Sequence, residues 1–281
     1  MAELRAGGQG GQGGRERGNP SSASSALFSS ALLASASLAS AQTPPIQDNS
    51  FLIEEAYNQE AHVVQHISNF ARSSGGDWIY TFTQEWPLGG QRHQLSYTVP
   101  VIHNDGTGLG DIFLNYRLQA VGSGDTPLAV SPRLSLIVPS GSPDRGRGAG
   151  GVGVQFNLPA SVELGRHFVT HLNAGATLFP SAQDQAGASA TTTLFNLGGS
   201  LIWLAHPRLN LMLEALWLGN DDVMGDGTTD RSSAAFLNPG LRAAIDWSGV
   251  QIVPGVAYTI GIGPSDGDRA LFLYLSLEHA F

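Results

Sequence analysis

The sequence predicts an all-β protein: an antiparallel transmembrane β-barrel of about twelve strands, preceded by an amino-terminal signal peptide. Three observations carry that expectation. From Val63 onward, apolar and mixed residues alternate with period two. The apolar runs are about 9 to 13 residues long, the length a tilted strand needs to cross a bilayer, whereas soluble strands average about 5 to 6. The last run, residues 271–281, ends on the aromatic Phe281 and resembles the closing strand of many bacterial outer-membrane barrels.

Composition sets the outer bounds. The 281 residues suffice for one large domain, charged residues make up only 13%, and Cys is absent, which excludes disulfides and Cys-ligated zinc. The segment 26–38 is a short run of apolar and small residues, and Ala39-Ser40-Ala41 forms an A-x-A cleavage site. Arg15 and Arg17 precede it; the Gly/Gln-rich stretch before them fits an over-extended start. Residues 1–41 are therefore set apart as signal peptide, 42–62 as a periplasmic lead-in or lumen plug, and 63–281 as the barrel. Beyond residue 41 there are 11 Arg and 21 acidic residues, with no Lys, for a net charge of −10. A nucleic-acid partner is not expected of so acidic a chain.

The strands are justified one by one by alternation. Trp78, Tyr80, Phe82 and Trp86 share a face, followed by Leu95, Tyr97, Val99 and Val101, then Ile112, Leu114, Tyr116 and Leu118. The cleanest run puts Val152, Val154, Phe156, Leu158, Ala160, Val162 and Leu164 on one side and Gly153, Gln155, Asn157, Pro159, Ser161 and Glu163 on the other. Later strands place Leu209, Leu211 and Leu213, then Leu237, Leu241 and Ile245, then Val250, Ile252, Val256 and Tyr258 together. In the closing run Leu271, Leu273, Leu275, Leu277 and Phe281 face one way and Phe272, Tyr274, Ser276, Glu278 and Ala280 the other.

Connections favour a membrane barrel over a soluble sandwich. Tight turns at 88–90, 165–166, 206–207 and 248–249 alternate with long loops at 140–150, 180–190, 219–234 and 263–269, the short 73–76 loop being the exception. Trp78 and Trp217 are expected at the outer rim and Trp86, Trp203 and Trp247 at the inner rim, all at strand ends, as two interfacial girdles. Pro100, Pro132, Pro159, Pro239 and Pro254 fall inside proposed strands; a residue without an N–H belongs at an edge or bulge, so some of them should mark strand boundaries.

Several segments carry a family resemblance: residues 51–60 (FLIEEAYNQE) with 63–67 (VVQHI), residues 108–117 (GLGDIFLNYR), residues 132–139 (PRLSLIVP) and residues 155–159 (QFNLP). Together they resemble the outer-membrane β-barrel family named for the MetA pathway of phenol degradation, over roughly residues 50 to 281. The resemblance implies an outer-membrane barrel and passage of small or aromatic molecules. It brings no catalytic residues with it.

Chemistry is confined to the inward face. Alternation places Arg117, Arg133 and Arg242 there with Glu85, Asp111, Glu163, Glu214 and Asp246, and with Asn115, Gln155, Asn157, Asn173, Asn196 and Asn238. An Arg facing lipid at the midplane costs roughly 2–4 kcal/mol, so inward charge is required by the fold. The network is either a salt-bridged lumen that holds the barrel or a polar constriction that selects permeants. His62/His66 and His167/His171 have i, i+4 spacing; on a strand four residues span about 13 Å, too far for one ion, and only a helical turn at His62/His66 would bring a pair together. The acidic stretch 220–230 lacks the closing Glu of an EF-hand loop. The Gly-rich stretch 146–153 has no Lys and no following helix, and no G-x-S-x-G occurs. No metal, no cofactor and no catalytic residue is expected.

The expected function is passive outer-membrane uptake of small molecules, aromatic or hydrophobic ones included, past the arginines and carboxylates. The alternatives are an outer-membrane lipid-modifying enzyme with a convergent Ser/His or Asp/His set on the outer rim, and a closed structural or assembly barrel. Expected partners are outer-membrane lipid, the small permeant and the barrel-assembly machinery. A closed barrel resists detergent until heated. The protein should therefore migrate faster unboiled than boiled in detergent gels; equal migration together with recovery in the soluble periplasm would contradict the barrel.

Overall fold

The computed structural model describes residues 50–281, so the expected signal peptide and the first part of the 42–62 lead-in lie outside the described residues. Twelve strands build the wall: β1 (Val63–Ser73), β2 (Trp78–Pro87), β3 (His93–His103), β4 (Ile112–Leu118), β5 (Arg133–Val138), β6 (Gly153–Glu163), β7 (Phe168–Gln183), β8 (Ser189–His206), β9 (Leu209–Val223), β10 (Thr229–Ala243), β11 (Val250–Gly261) and β12 (Arg269–Ala280). Three short pieces extend them: Thr107–Leu109 beside β3, Leu128–Val130 beside β6, and Ile245–Trp247 beside β11. Each strand is antiparallel to its sequence neighbours, and β1 pairs with β12 from Val63↔Ala280 to Ser73↔Ala270. The sheet therefore closes on itself with no free edge.

The alternation sorts as a membrane wall requires. The outward face carries Leu134 (53% exposed), Leu158 (41%), Leu197 (58%) and Leu273 (42%), while Ser135, Asn157, Asn196 and Tyr274 between them are buried. A soluble sandwich would bury the leucines and wet the polar face. No helix among the described residues is long and apolar enough to cross a membrane; the strands do the crossing.

The connections differ from expectation in an instructive way. β7 runs to Gln183 and β8 starts at Ser189; β9 runs to Val223 and β10 starts at Thr229. The segments 180–190 and 219–234 are thus mostly paired strand, with Asn220↔Ser232, Asp221↔Arg231 and Asp222↔Asp230 in register. Polarity there marks the end of the apolar band, not the end of the hydrogen-bond ladder. The same extension leaves Trp217 inside β9, opposite Leu197 and Ala235, instead of at a strand end. Trp78 opens β2, Trp86 is its penultimate residue, Trp203 lies near the end of β8, and Trp247 ends the short piece beside β11.

All five prolines coincide with gaps in the ladder. Pro132 lies outside a strand, next to Ser131; across from them, Pro159 accepts the Ser131 N–H at 3.1 Å but has no N–H to return. Pro100 faces the one-residue bulge at Gly110–Asp111, where the register shifts between Thr98↔Phe113 and Val101↔Leu109. The β10–β11 ladder skips from Leu237↔Ile260 to Gly240↔Ala257 at Pro239, and Pro254 lies beyond Arg242↔Gly255, where β10 gives way to its short extension. So four prolines stay within strands, and the local breaks fall on the neighbouring pairings.

The seam between first and last strands is completed by the carboxyl terminus: the Phe281 N–H donates to the His62 carbonyl at 2.9 Å and the two rings lie 6.3 Å apart. Deleting Phe281 should lower the yield of heat-modifiable barrel several-fold without changing synthesis or export, as read by the ratio of unboiled to boiled bands. A normal ratio would make the terminal residue incidental.

Candidate functional site

The site is the lumen, and the chain fills part of it itself. Residues 50–59 precede β1 and are fully buried, though none belongs to a strand. Their backbone is satisfied by wall side chains instead of a ladder. Three successive N–H groups, of Phe51, Leu52 and Ile53, converge on Glu214 Oε1 at 2.8, 2.8 and 3.1 Å, a backbone nest closed around one carboxylate oxygen. Asn238 Nδ2 holds the other oxygen at 2.7 Å. Asn173 brackets Glu54, accepting its N–H at 2.7 Å and donating to its carbonyl at 2.6 Å. Ser161 accepts from Ala56 N, while Gln119 and Ser131 donate to Ala56 O, each at 2.8 Å. Gln94 accepts from Gln59 N at 2.6 Å. These contacts come from strands on most sides of the barrel, so the segment stands across the lumen.

The strongest charges meet at Glu54. Its Oε1 lies 3.2 Å from Arg117 Nη1 and its Oε2 3.5 Å from Arg133 Nη2, and Asn157 Nδ2 donates to Oε2 at 2.7 Å. All three charged side chains are at most 3% exposed. Arg117 and Arg133 are direct cross-strand partners on β4 and β5. Like charges placed opposite one another repel, so this pair requires an anion. Arg117 also donates to Asn58 Oδ1 at 2.8 Å and to the Glu55 and Tyr57 carbonyls, grasping the segment by its backbone.

Around Phe51, Leu52 and Ile53 the inward wall is apolar. They join Ile67, Ile79, Ile102, Phe113, Ile137, Phe236, Phe272 and Tyr274 in one buried cluster. The Phe51 ring lies 5.4 Å from Phe272 and 5.3 Å from Tyr274. A Cβ on Gly240 or Gly255 would come within 2.8 or 2.6 Å of that ring, so glycine at these positions makes its seat. The lumen therefore has an apolar tier beside a charged one.

The expected lumen residues do not form one constriction. Arg117 and Arg133 are adjacent, but Arg242 is buried on β10, across the barrel from β4 and β5, beside Gly255. Glu214 faces the amino-terminal segment, not an arginine. Glu85 accepts from Gln94 Nε2 at 2.7 Å and Asn115 donates to Ser96 at 3.1 Å, both buried. Asp111 ties down the 139–152 loop by accepting from Gly141 N and Ala149 N at 2.9 and 2.7 Å. Two expectations are corrected: Glu163 is exposed at the end of β6, and Asp246 is exposed and paired with Arg208 at 3.1 Å. Strand-end positions keep the alternation but lie beyond the enclosed lumen. The residue that sequence reasoning missed is Glu54; its signal was the charged pair Glu54-Glu55 directly after an apolar triplet.

The remaining constellations resolve simply. His66 lies on β1 with its Nε2 3.4 Å from His279 Nε2, and His171 Nδ1 lies 2.7 Å from Ser161 Oγ. No group of three potential ligands for a metal occurs among the described residues. The Ser161–His171 pair is inside the lumen beneath Ala56, not on the outer rim that a lipid-modifying enzyme would need. In the acidic hairpin Asp221 pairs with Arg231 at 3.1 Å. At its tip the Thr228 hydroxyl and N–H donate to Asp226, holding that carboxyl below its usual range.

A family model described as "MetA-pathway of phenol degradation" matches residues 39–252. Among solved structures, the chain is similar to an outer membrane channel from Pseudomonas putida F1, with TM-score 0.58, 12% identity, and coverage of 87% of this chain and 100% of that one. It is also similar to the NanC porin, with TM-score 0.54, 9% identity, and coverage of 77% of this chain and 100% of that one. At those identities the likeness is one of fold. No curated protein matches the chain. The closed barrel and this fold place the protein in the bacterial outer membrane.

Removing the Glu214 carboxylate strips the acceptor from three buried N–H groups, a loss on the order of 2–4 kcal/mol. Glu214→Ala should therefore leave the barrel heat-modifiable but release residues 50–60. A Glu-specific protease would then cut at Glu54, Glu55 or Glu60, where the parent protein resists. Equal resistance would show that the nest is not what anchors the segment.

Proposed function

The chain belongs to the MetA-pathway of phenol degradation family, and on that premise we propose that it is an outer-membrane channel for passive uptake of small molecules, aromatic ones among them. The carrying observation is that the lumen is crossed, among the described residues, by a segment that belongs to no strand, is held through hydrogen bonds and two ion pairs, and leads directly into β1. A barrel needed only as a wall could fill its interior with wall side chains, as small barrels do. Here the filling is a separate, withdrawable strap, and the space it occupies combines an apolar tier with paired arginines. That combination suits a solute with an apolar body.

The mechanism that follows is diffusion once the strap yields, with lumen contacts selecting what passes. Lipid contact and delivery by the barrel-assembly machinery belong to the same proposal. The indoles of Trp78, Trp86, Trp203, Trp217 and Trp247 would sit at or near the two interfaces.

Planar-bilayer recording tests it. The refolded parent should show small or infrequent conductance. A variant lacking residues 50–58 should conduct at least several-fold more and admit phenol-sized solutes in liposome swelling. If that deletion assembles yet conducts nothing, the closed structural barrel is the better account.

A further inference from the structure

We infer that the Arg117–Arg133 pair is a receptor for a small carboxylate, and that Glu54 occupies this receptor as an internal surrogate. The inference rests on the channel reading and names the solute class of the same lumen.

Two guanidiniums on directly opposed residues share the single carboxylate of Glu54. The Arg133 side chain is incompletely satisfied: Nη2 donates to Gln155 at 2.9 Å, but Nε is buried without a hydrogen-bond partner among the described residues. Asn157 and Asn173 add amides at the same place, and both reach the segment through side chains that any carboxylate and amide could satisfy. Glu54 thus meets three side-chain donors but leaves the buried Arg133 Nε beside them without a partner among the described residues, which is how a site looks when a tethered group stands in for a ligand. Guanidinium groups match a planar carboxylate in a fork geometry that a neutral phenol cannot supply.

The Phe51 ring does not share this site: its seat of Phe272, Tyr274, Gly240 and Gly255 lies on β10 to β12, across the lumen from β4 and β5. The site at the arginines is therefore filled by the Glu54 carboxylate alone, and a free carboxylate offers the same group.

The test compares benzoate, acetate and benzyl alcohol in bilayer recordings of the parent, Glu54→Gln and Glu54→Gln/Arg133→Gln. Benzoate should act on Glu54→Gln at concentrations roughly tenfold or more below those effective on the double variant, one tenfold step being about 1.4 kcal/mol. Acetate should follow the same order across the variants, and benzyl alcohol should be inactive at matched concentration. Equal action of benzoate and benzyl alcohol, or a benzoate response unchanged by Arg133→Gln, overturns the inference while a conducting barrel leaves the channel reading standing. Failure of the 50–58 deletion to conduct overturns the channel reading itself. If Glu54→Gln does not reach the heat-modifiable form, benzoate is titrated against the parent, where it must raise the open fraction by competing with Glu54; no change there overturns the inference as well.

Discussion

Everything in this molecule follows from the absence of water to satisfy a peptide group inside a bilayer. Each N–H and C=O at membrane depth must find an internal partner, and a closed antiparallel sheet is one of the two ways to arrange it. The β1–β12 seam exists for that reason, and the four prolines within strands are tolerated because each faces a place where the pairing with a neighbouring strand is interrupted. The amino-terminal segment meets the same requirement differently. It is in no ladder, so its N–H and C=O groups are met by Glu214, Asn173, Ser161, Gln119, Ser131 and Gln94 reaching in from the wall. Those polar residues are the wall's substitute for a neighbouring strand.

The same scarcity of water governs the charges. Isolated buried ions are expensive, and a buried pair offsets its desolvation only when geometry and extra hydrogen bonds are good. Glu54 has both arginines and the Asn157 amide around it, and Arg117 has backbone carbonyls and Asn58. Removing one partner strands the others, so the cluster behaves as a unit. A hydrophobic replacement of the whole cluster would fill the space as well. What it would lose is a definite position for the segment along the lumen, since apolar contacts slide and a bracketed carboxylate does not.

Much of this was legible in the sequence. Alternation fixed which residues point in, so the burial of Glu85, Asn115, Arg117, Arg133, Glu214 and Arg242 follows from period two alone. What alternation cannot give is azimuth or height. Arg117 and Arg133 pair because of register between β4 and β5, and Arg242 is remote because β10 is across the barrel; neither fact is local to the chain. Glu163 and Asp246 obey the alternation and still lie outside, because the rule holds past the point where the lumen ends. The apolar tier was hidden for another reason: where Phe113, Ile137 or Phe272 face inward opposite an already apolar outward face, the contrast that defines the period disappears. The role of Glu54 was invisible because it acts from a segment with no period at all.

The short join between the segment and β1 has a quantitative side. Val63 begins β1 immediately after His62, and the Val63 N–H is already bonded to Glu60 at 3.2 Å, so there is almost no slack between the strap and the wall. A group tied this closely to its own binding site acts at an effective concentration of millimolar or above, the range reached by short linkers. Any solute from outside competes against that figure, however well it fits. The barrel would then answer to abundance more than to affinity, admitting little from a dilute surrounding and responding steeply once the supply is rich.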